Sequence, residues 1–328
     1  MTRILSTHVY GDRHPDWDAR VDVLDRRTMT RRQLFRRLVS AAGDYDALIL
    51  NGSIGTSEWF VDLLAAAAIR RTRRRPPAIV VTDCSWARGD AWIDRAAMRM
   101  GIRALDGRRV RYCVRSTDEL ELFPRAWRVD PGHVVFTPYA HTVTDTELAV
   151  PATTDGGVFA GGNSLRDYPT LLEAVRELDV PVRILTSVIG DAERTALPAH
   201  VQVDRVRSHD EFVDGLRRAA AVVTPLRPVL QRAAGLDTYL SAMALGKLVI
   251  VSESPGVRDY VEHGRTGLVV PAGDAASLRE VLAWALDPAN ADEVGEIAAR
   301  AGETARTRFT YEAYVDTLLR VADDLVAG

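Results

Sequence analysis

Ala234-Gly235-Leu236-Asp237-Thr238-Tyr239-Leu240-Ser241-Ala242-Met243-Ala244-Leu245-Gly246-Lys247-Leu248-Val249-Ile250-Val251 reads as a glycine turn, a helix and a buried strand in immediate succession. Asp237 and Thr238 open the helix and Gly246 ends it. The strand that follows is apolar at every position, the mark of a parallel sheet covered on both faces. In such sheets ligands bind beyond the carboxyl ends of the strands, where helix N-termini present unsatisfied N–H groups. Taken alone, the stretch also reads as a structural αβ unit.

The same alternation runs outward in both directions. Upstream, 157–160 is a strand, 169–178 a helix, 182–186 and 201–206 strands, 208–219 a helix and 221–223 a strand. Downstream come a short strand at 267–270 and helices at 274–286, 291–307 and 311–326. The first half repeats the theme with strands at 3–9, 46–50, 78–81, 110–114 and 133–136. Between them lie helical patterns from Thr30, at 58–69 and at 91–100. Ser116 with Glu119, and Ser208 with Glu211, are capping boxes that start helices. The pattern breaks only at Val150-Pro151-Ala152-Thr153-Thr154-Asp155-Gly156-Gly157, small and polar, which reads as a linker. Two doubly wound α/β domains are expected, with the ligand site in the cleft between them.

A second glycine turn stands between strand and helix at Gly161-Gly162-Asn163-Ser164-Leu165-Arg166-Asp167. Glycines let a backbone approach an anion, the following helix start favours negative charge, and Arg166 adds a guanidinium able to hold a phosphate with two hydrogen bonds. The turn is neither the dinucleotide fingerprint nor a P-loop. A turn in which Asp167 merely caps the helix has the same residues.

Bulk properties exclude several classes. The chain has 328 residues, and no apolar run reaches the roughly 18 residues of a membrane span. Its opening, Met1-Thr2-Arg3-Ile4-Leu5, is too short for the apolar core of a signal peptide, so a cytoplasmic protein is expected. Cys84 and Cys113 are isolated within apolar runs, which suits reduced core cysteines and neither a disulfide framework nor zinc. Residues 1–150 carry a net charge of +5 and the remainder −8, and every basic residue except Lys247 is arginine. The basic half, densest at Arg31-Arg32, Arg36-Arg37 and Arg70 to Arg75, suits an anionic acceptor or peripheral contact with an anionic membrane as well as a solvated helix face. No aromatic-studded basic groove accompanies it, so nucleic acid is not expected as a partner.

The third stretch, Ser252-Glu253-Ser254-Pro255-Gly256-Val257-Arg258-Asp259-Tyr260-Val261-Glu262-His263-Gly264-Arg265-Thr266-Gly267-Leu268-Val269-Val270-Pro271-Ala272-Gly273-Asp274, makes the three pieces inseparable. Their order and spacing closely resemble the C-terminal domain of family 4 glycosyltransferases, and Leu171-Leu172-Glu173-Ala174 extends the match, which spans about 157–286. The resemblance implies a retaining enzyme of the GT-B fold. Its N-terminal domain (1–150, with a crossover helix at 309–328) would take a small-molecule, glycan or lipid acceptor. Its C-terminal domain (151–308) would take a nucleoside-diphosphate sugar. It implies no cofactor and no metal, because protein cations and helix dipoles stabilise the leaving diphosphate. Carried onto this chain, it makes Arg166 the diphosphate cation. It places Gly161, Gly162, Asn163, Leu236, Asp237, Thr238 and Ser241 around the donor.

The chain departs from the family at three places. A first glutamate would fall near Ala233, a second, ribose-binding glutamate falls at Ser241, and an additional arginine falls near Gly162-Asn163. In the first half, where the likeness is loose, strand ends nominate His8, Ser53, Ser85 and Trp86 as acceptor-binding residues and Asp83 as a base or a hydroxyl-orienting group. Strand-end capping by Asp83 and core packing by Trp86 are the plainer readings. The departures leave open a catalytically silent scaffold that partners a true transferase. A dehydrogenase lacks its glycine fingerprint, and an epimerase would need cleft carboxylates that the sequence does not reveal.

Overall fold

A computed structural model describes residues 1–8, 14–52, 59–86, 92–190, 194, 197–228 and 231–328. It divides into two compact units, Met1–Pro138 with Glu312–Gly328, and Tyr139–Tyr311.

The first unit is built on a six-stranded parallel sheet of order β2-β1-β3-β4-β5-β6. The strands are β1 (Ile4–Ser6), β2 (Val21–Val23), β3 (Ala47–Asn51), β4 (Ala78–Thr82), β5 (Val110–Val114) and β6 (Val134–Phe136). Between them run α1 (Pro15–Arg20), α2 (Arg31–Ala41), α3 (Trp59–Thr72), α4 (Trp92–Leu105) and α5 (Glu119–Trp127). β3 and β4 are buried along almost their whole length, which is why they read as unbroken apolar runs rather than alternating ones. Leu34 and Leu38 of α2, Ile69 of α3, Ile102 of α4 and Phe123 of α5 share one apolar cluster with Leu48, Leu50, Ile79 and Val81 of the strands. These four helices therefore form one layer over one sheet face. The short helix α1 was not foreseen. It starts at Pro15, and the His14 side chain accepts from the Trp17 N–H.

The second unit repeats the architecture. β7 (Val158–Gly161), β8 (Val182–Leu185), β9 (Val201–Asp204), β10 (Ala221–Thr224), β11 (Leu248–Ser252) and β12 (Leu268–Val270) lie in the order β12-β11-β10-β7-β8-β9, all parallel. After a short α6 (Asp145–Leu148), its helices are α7 (Tyr168–Val175), α8 (His209–Arg218), α9 (Leu236–Ala244), α10 (Val257–Tyr260), α11 (Ala275–Leu286) and α12 (Ala291–Arg308). Helix starts follow their capping residues. Ser208 accepts from the Glu211 N–H at the start of α8, and Asp167 accepts from the Thr170 N–H at the start of α7.

The units divide at Pro138/Tyr139, upstream of the polar stretch at 150–157. Composition marks where the chain is soft, but contacts decide where it belongs. The Tyr139 N–H donates to the Tyr260 hydroxyl, the Thr142 N–H to Ser241, and His209 pairs with Glu147, so residues 139–148 pack on the second unit. The last helix, α13 (Tyr311–Ala327), lies in the first unit from Glu312 onward. Asp316 takes His14, and Asp323 takes Arg20 and the Thr2 hydroxyl.

Candidate functional site

The turn after β7 and the turn before α9 are brought together by Arg166. Its side chain is only 6% exposed and its guanidinium is caged. Nε donates to the Gly161 carbonyl at 2.9 Å, Nη1 to the Ser164 carbonyl at 3.0 Å and Nη2 to the Thr238 hydroxyl at 2.9 Å. Five N–H groups with three used leave one free on each Nη. No carboxylate among the described residues lies within ion-pair distance of it. Burial lowers its pKa from the usual guanidinium value, while Tyr168 and Asp237 act the other way. A guanidinium still stays protonated. A buried cation without a counter-charge is costly, and three oxygen acceptors offset only part of that cost.

The glycines are there because side chains would not fit. Gly162 has φ 101°, and a Cβ would lie 2.6 Å from Arg166 Nη2. Gly235 has φ 81°, and a Cβ would lie 2.6 Å from the Thr224 methyl. Gly235 is also the N-cap of α9 and provides no side-chain cap. The Leu236 and Asp237 N–H groups have no acceptor among the described residues, so α9 opens with unsatisfied donors beside Thr238 and Arg166. Helix starts of this kind favour anions. Gly161, Gly162, Arg166, Leu236, Asp237 and Thr238 are thus one cluster.

Two residues expected at the donor are used elsewhere. The Asn163 Oδ1 accepts from the Thr186 hydroxyl and the Ser187 N–H, fastening the turn to the end of β8. Ser241 is buried, and its hydroxyl meets both the N–H and the hydroxyl of Thr142. It anchors the chain after β6 to α9 rather than presenting an acceptor to a ribose. Sequence reading missed Ser164, whose carbonyl takes Arg166 and whose hydroxyl takes Arg232 Nη2 at 2.9 Å. Arg232 was not among the residues nominated from the sequence. Two guanidiniums therefore converge on one residue of the glycine turn.

In the first unit the strand ends hold a different cluster. The His8 Nε2 meets the Thr82 hydroxyl and lies 3.8 Å from Asp83. The Asp83 Oδ1 accepts from Arg115 Nε at 3.1 Å and from the Tyr314 hydroxyl of α13 at 2.9 Å. Burial acts to raise the Asp83 pKa, but the Arg115 and His8 charges and the hydrogen bonds from Arg115 and Tyr314 prevail and lower it. The backbone at Asp83 is left-handed, with φ 52°. A carboxylate with lowered pKa and an occupied oxygen is a poor proton acceptor, so Asp83 is an organiser of this cluster, not the base. For His8, burial lowers the pKa to about 4; Asp83 opposes this, and Arg26 and Arg115 add to it.

Trp86 does not stack on a ligand. It is 4% exposed, its ring lies among Tyr112, Phe123 and Trp127, and its Nε1–H donates to the Gly52 carbonyl at 2.6 Å. Trp86→Phe is expected to destabilise the protein by about 1–3 kcal/mol in chemical denaturation, because the Gly52 carbonyl loses its donor. An unchanged midpoint would mean that this bond contributes nothing. Ser85 is buried, its N–H on the Asp83 carbonyl. Ser53 lies outside the described residues. Among the described residues no three His, Cys, Asp or Glu side chains gather closely enough to share a metal ion.

Residues 158–287 match the family described as Glycosyl transferases group 1. The match lies within the second unit, over the residues where the sequence resemblance was read. D-inositol 3-phosphate glycosyltransferase of Arthrobacter sp. (strain FB24) is 31% identical over 181 residues, 50% of this chain and 42% of that protein. The match therefore spans less than half of that glycosyltransferase. Among solved structures, Anabaena HepE in complex with UDP-glucose superposes with a TM-score of 0.68 at 14% identity, covering 100% of both chains. Sucrose-phosphate synthase from Thermosynechococcus elongatus superposes at 0.64 with 19% identity, over 91% of this chain and 80% of that one. At such identities the likeness shows the fold, which is the two-domain, Rossmann-like GT-B fold of glycosyltransferases.

Proposed function

We propose that this chain is a glycosyltransferase that takes a sugar from a nucleoside-diphosphate sugar and passes it, with retention of configuration, to a small-molecule, glycan or lipid acceptor. The observation that carries the reading is Arg166, a buried guanidinium without a carboxylate partner among the described residues, set beside the start of α9, which has no side-chain cap. Its two remaining N–H groups and the N–H groups of Leu236 and Asp237 suit a diphosphate. As the glycosidic bond breaks, negative charge grows on the leaving phosphate, and prearranged donors lower that barrier. Arg232, held on Ser164, supplies a second cation in place of the arginine absent near Gly162. That HepE was crystallised with UDP-glucose and with UDP supports a uridine donor. His8, largely enclosed and neutral, and Ser85 belong to the acceptor side in this reading.

A calorimetric panel of UDP, GDP and ADP tests the donor site. Binding of at least one, with release of that diphosphate from its sugar conjugate, is the expected result. A second reading, a silent scaffold that partners an active transferase, is favoured by Ser241 and Ala233. Both are buried and uncharged where the family resemblance calls for glutamates. Absence of affinity for every nucleotide would support that reading and remove the first.

A further inference from the structure

In the glycine turn after β7 the carbonyls are taken and the N–H groups are not. The Gly161 carbonyl accepts from Arg166 Nε, that of Ser164 from Arg166 Nη1 and that of Leu165 from the Arg227 N–H. The Gly162 carbonyl accepts from the Tyr168 hydroxyl at 2.6 Å. By contrast, the N–H groups of Asn163, Ser164 and Leu165 have no acceptor among the described residues. Leu165 is left-handed, with φ 59°, without being glycine. Such a conformation persists only where its surroundings over-determine it. Here four held carbonyls do so. N–H groups gathered by left-handed turns form concave sites for anions.

Tyr168 is the one member of this set whose use is not explained by its neighbours. It is the first residue of α7, 2% exposed, and its ring belongs to the apolar cluster of the second unit. Phenylalanine would fill the same space, so packing does not call for the hydroxyl. A trans peptide carries its C=O and its N–H on opposite edges. Drawing the Gly162 carbonyl onto Tyr168 therefore turns the Asn163 N–H away from Tyr168. That peptide lies beside the guanidinium, since a Cβ on Gly162 would stand 2.6 Å from Arg166 Nη2. The Thr186 hydroxyl also reaches the Gly162 carbonyl, at 3.0 Å, but its single hydrogen has a second acceptor in Asn163 Oδ1 at 2.9 Å.

We propose that Tyr168 is a positioning residue for the diphosphate: through the Gly162 carbonyl, its hydroxyl sets the Gly162–Asn163 peptide so that the Asn163 N–H, beside Arg166, receives a phosphate oxygen. The inference rests on the donor reading above and adds to it a residue that acts through the backbone, not on the ligand.

Tyr168→Phe in the full chain removes the hydroxyl and keeps the ring. Calorimetry uses whichever of UDP, GDP and ADP binds the native chain most tightly. Its affinity should fall about tenfold in the variant, the scale of one hydrogen bond to a charged group. The matching nucleoside (uridine, guanosine or adenosine), titrated in competition with the diphosphate, should bind variant and native chain alike. A hydroxyl that merely supported the fold would lower both affinities together, and the melting temperature with them. Native diphosphate affinity in Tyr168→Phe, or an equal loss for the nucleoside, would overturn the proposal. Arg166→Ala, run beside it, keeps the two readings apart. Weak binding by Arg166→Ala with native binding by Tyr168→Phe removes this inference and leaves the donor site standing. A native chain without affinity for any of the three diphosphates removes both.

Discussion

Arg166→Ala is expected to lower the affinity for a nucleoside diphosphate by at least about a hundredfold, the equivalent of losing one strong electrostatic partner of about 3 kcal/mol. The side chain has two duties. In the proposed reading it offers two N–H groups and a full charge to the diphosphate, and in the structure it ties the turn after β7 to Thr238 at the start of α9. Thr238→Val separates them. It removes the hydroxyl that receives Nη2 but keeps the guanidinium, so affinity should fall by about tenfold or less, in line with one hydrogen bond. Arg166→Lys keeps the charge and loses the fork. An intermediate loss is expected from it. Calorimetry with the diphosphate that binds the native chain is the measurement, with a melting curve of each variant without ligand. Native affinity in a folded Arg166→Ala chain would mean that the phosphate assignment is wrong.

Asp83→Asn should destabilise the first unit by about 3–5 kcal/mol, the cost of removing one partner from a buried pair. Asparagine is the informative replacement. It keeps the shape and tolerates the left-handed backbone that Asp83 adopts, so the loss reports charge and not strain. What is lost is the anion opposite Arg115 and the strongest acceptor for the Tyr314 hydroxyl. Urea denaturation measures it, and a change below about 1 kcal/mol, the scale of a surface pair, would show that the cluster is solvated rather than buried.

The same cluster sets an acid dependence. The folded-state pKa of His8 is lowered from 6.5 to about 4, so its neutral form is favoured by folding. The stability this represents is complete above about pH 6.5 and is lost as pH falls toward 4, by about 3 kcal/mol in all. The lowered pKa of Asp83 adds a further loss below its ordinary range. Unfolding free energy measured between pH 7 and 4 should therefore decline, and His8→Asn should flatten that decline. An unaltered slope in the variant would assign the acid sensitivity to other groups.

The glycine turns, the arginine between them and the helix start at Leu236–Thr238 were legible because each requirement is local. A left-handed backbone favours glycine, as at Gly235, and glycine at the N-cap leaves the first N–H groups of the helix without a side-chain cap. The strands were legible for a similar reason: two-sided burial demands an apolar residue at every position. For Trp86 and Asp83 the sequence left a structural and a functional reading side by side, and the role of Ser241 was not legible, since each is assigned by what lies opposite it in space. Trp86 and Ser241 both follow sequence patterns that could face a ligand. Their partners, Gly52 and the aromatic cluster for one and Thr142 for the other, are distant along the chain.

By itself, the order of residues determined two parallel α/β sheets, the two glycine turns of the second and the charge of the guanidinium between them, because periodicity and backbone conformation are properties of neighbours. Only the tertiary structure decided that Arg166 is caged with no carboxylate partner among the described residues, that Asp83 is held by Arg115 and Tyr314, and that Tyr139–Leu148 packs with the second unit. Burial and pairing depend on groups far apart in the chain, and no local pattern encodes which of them will meet.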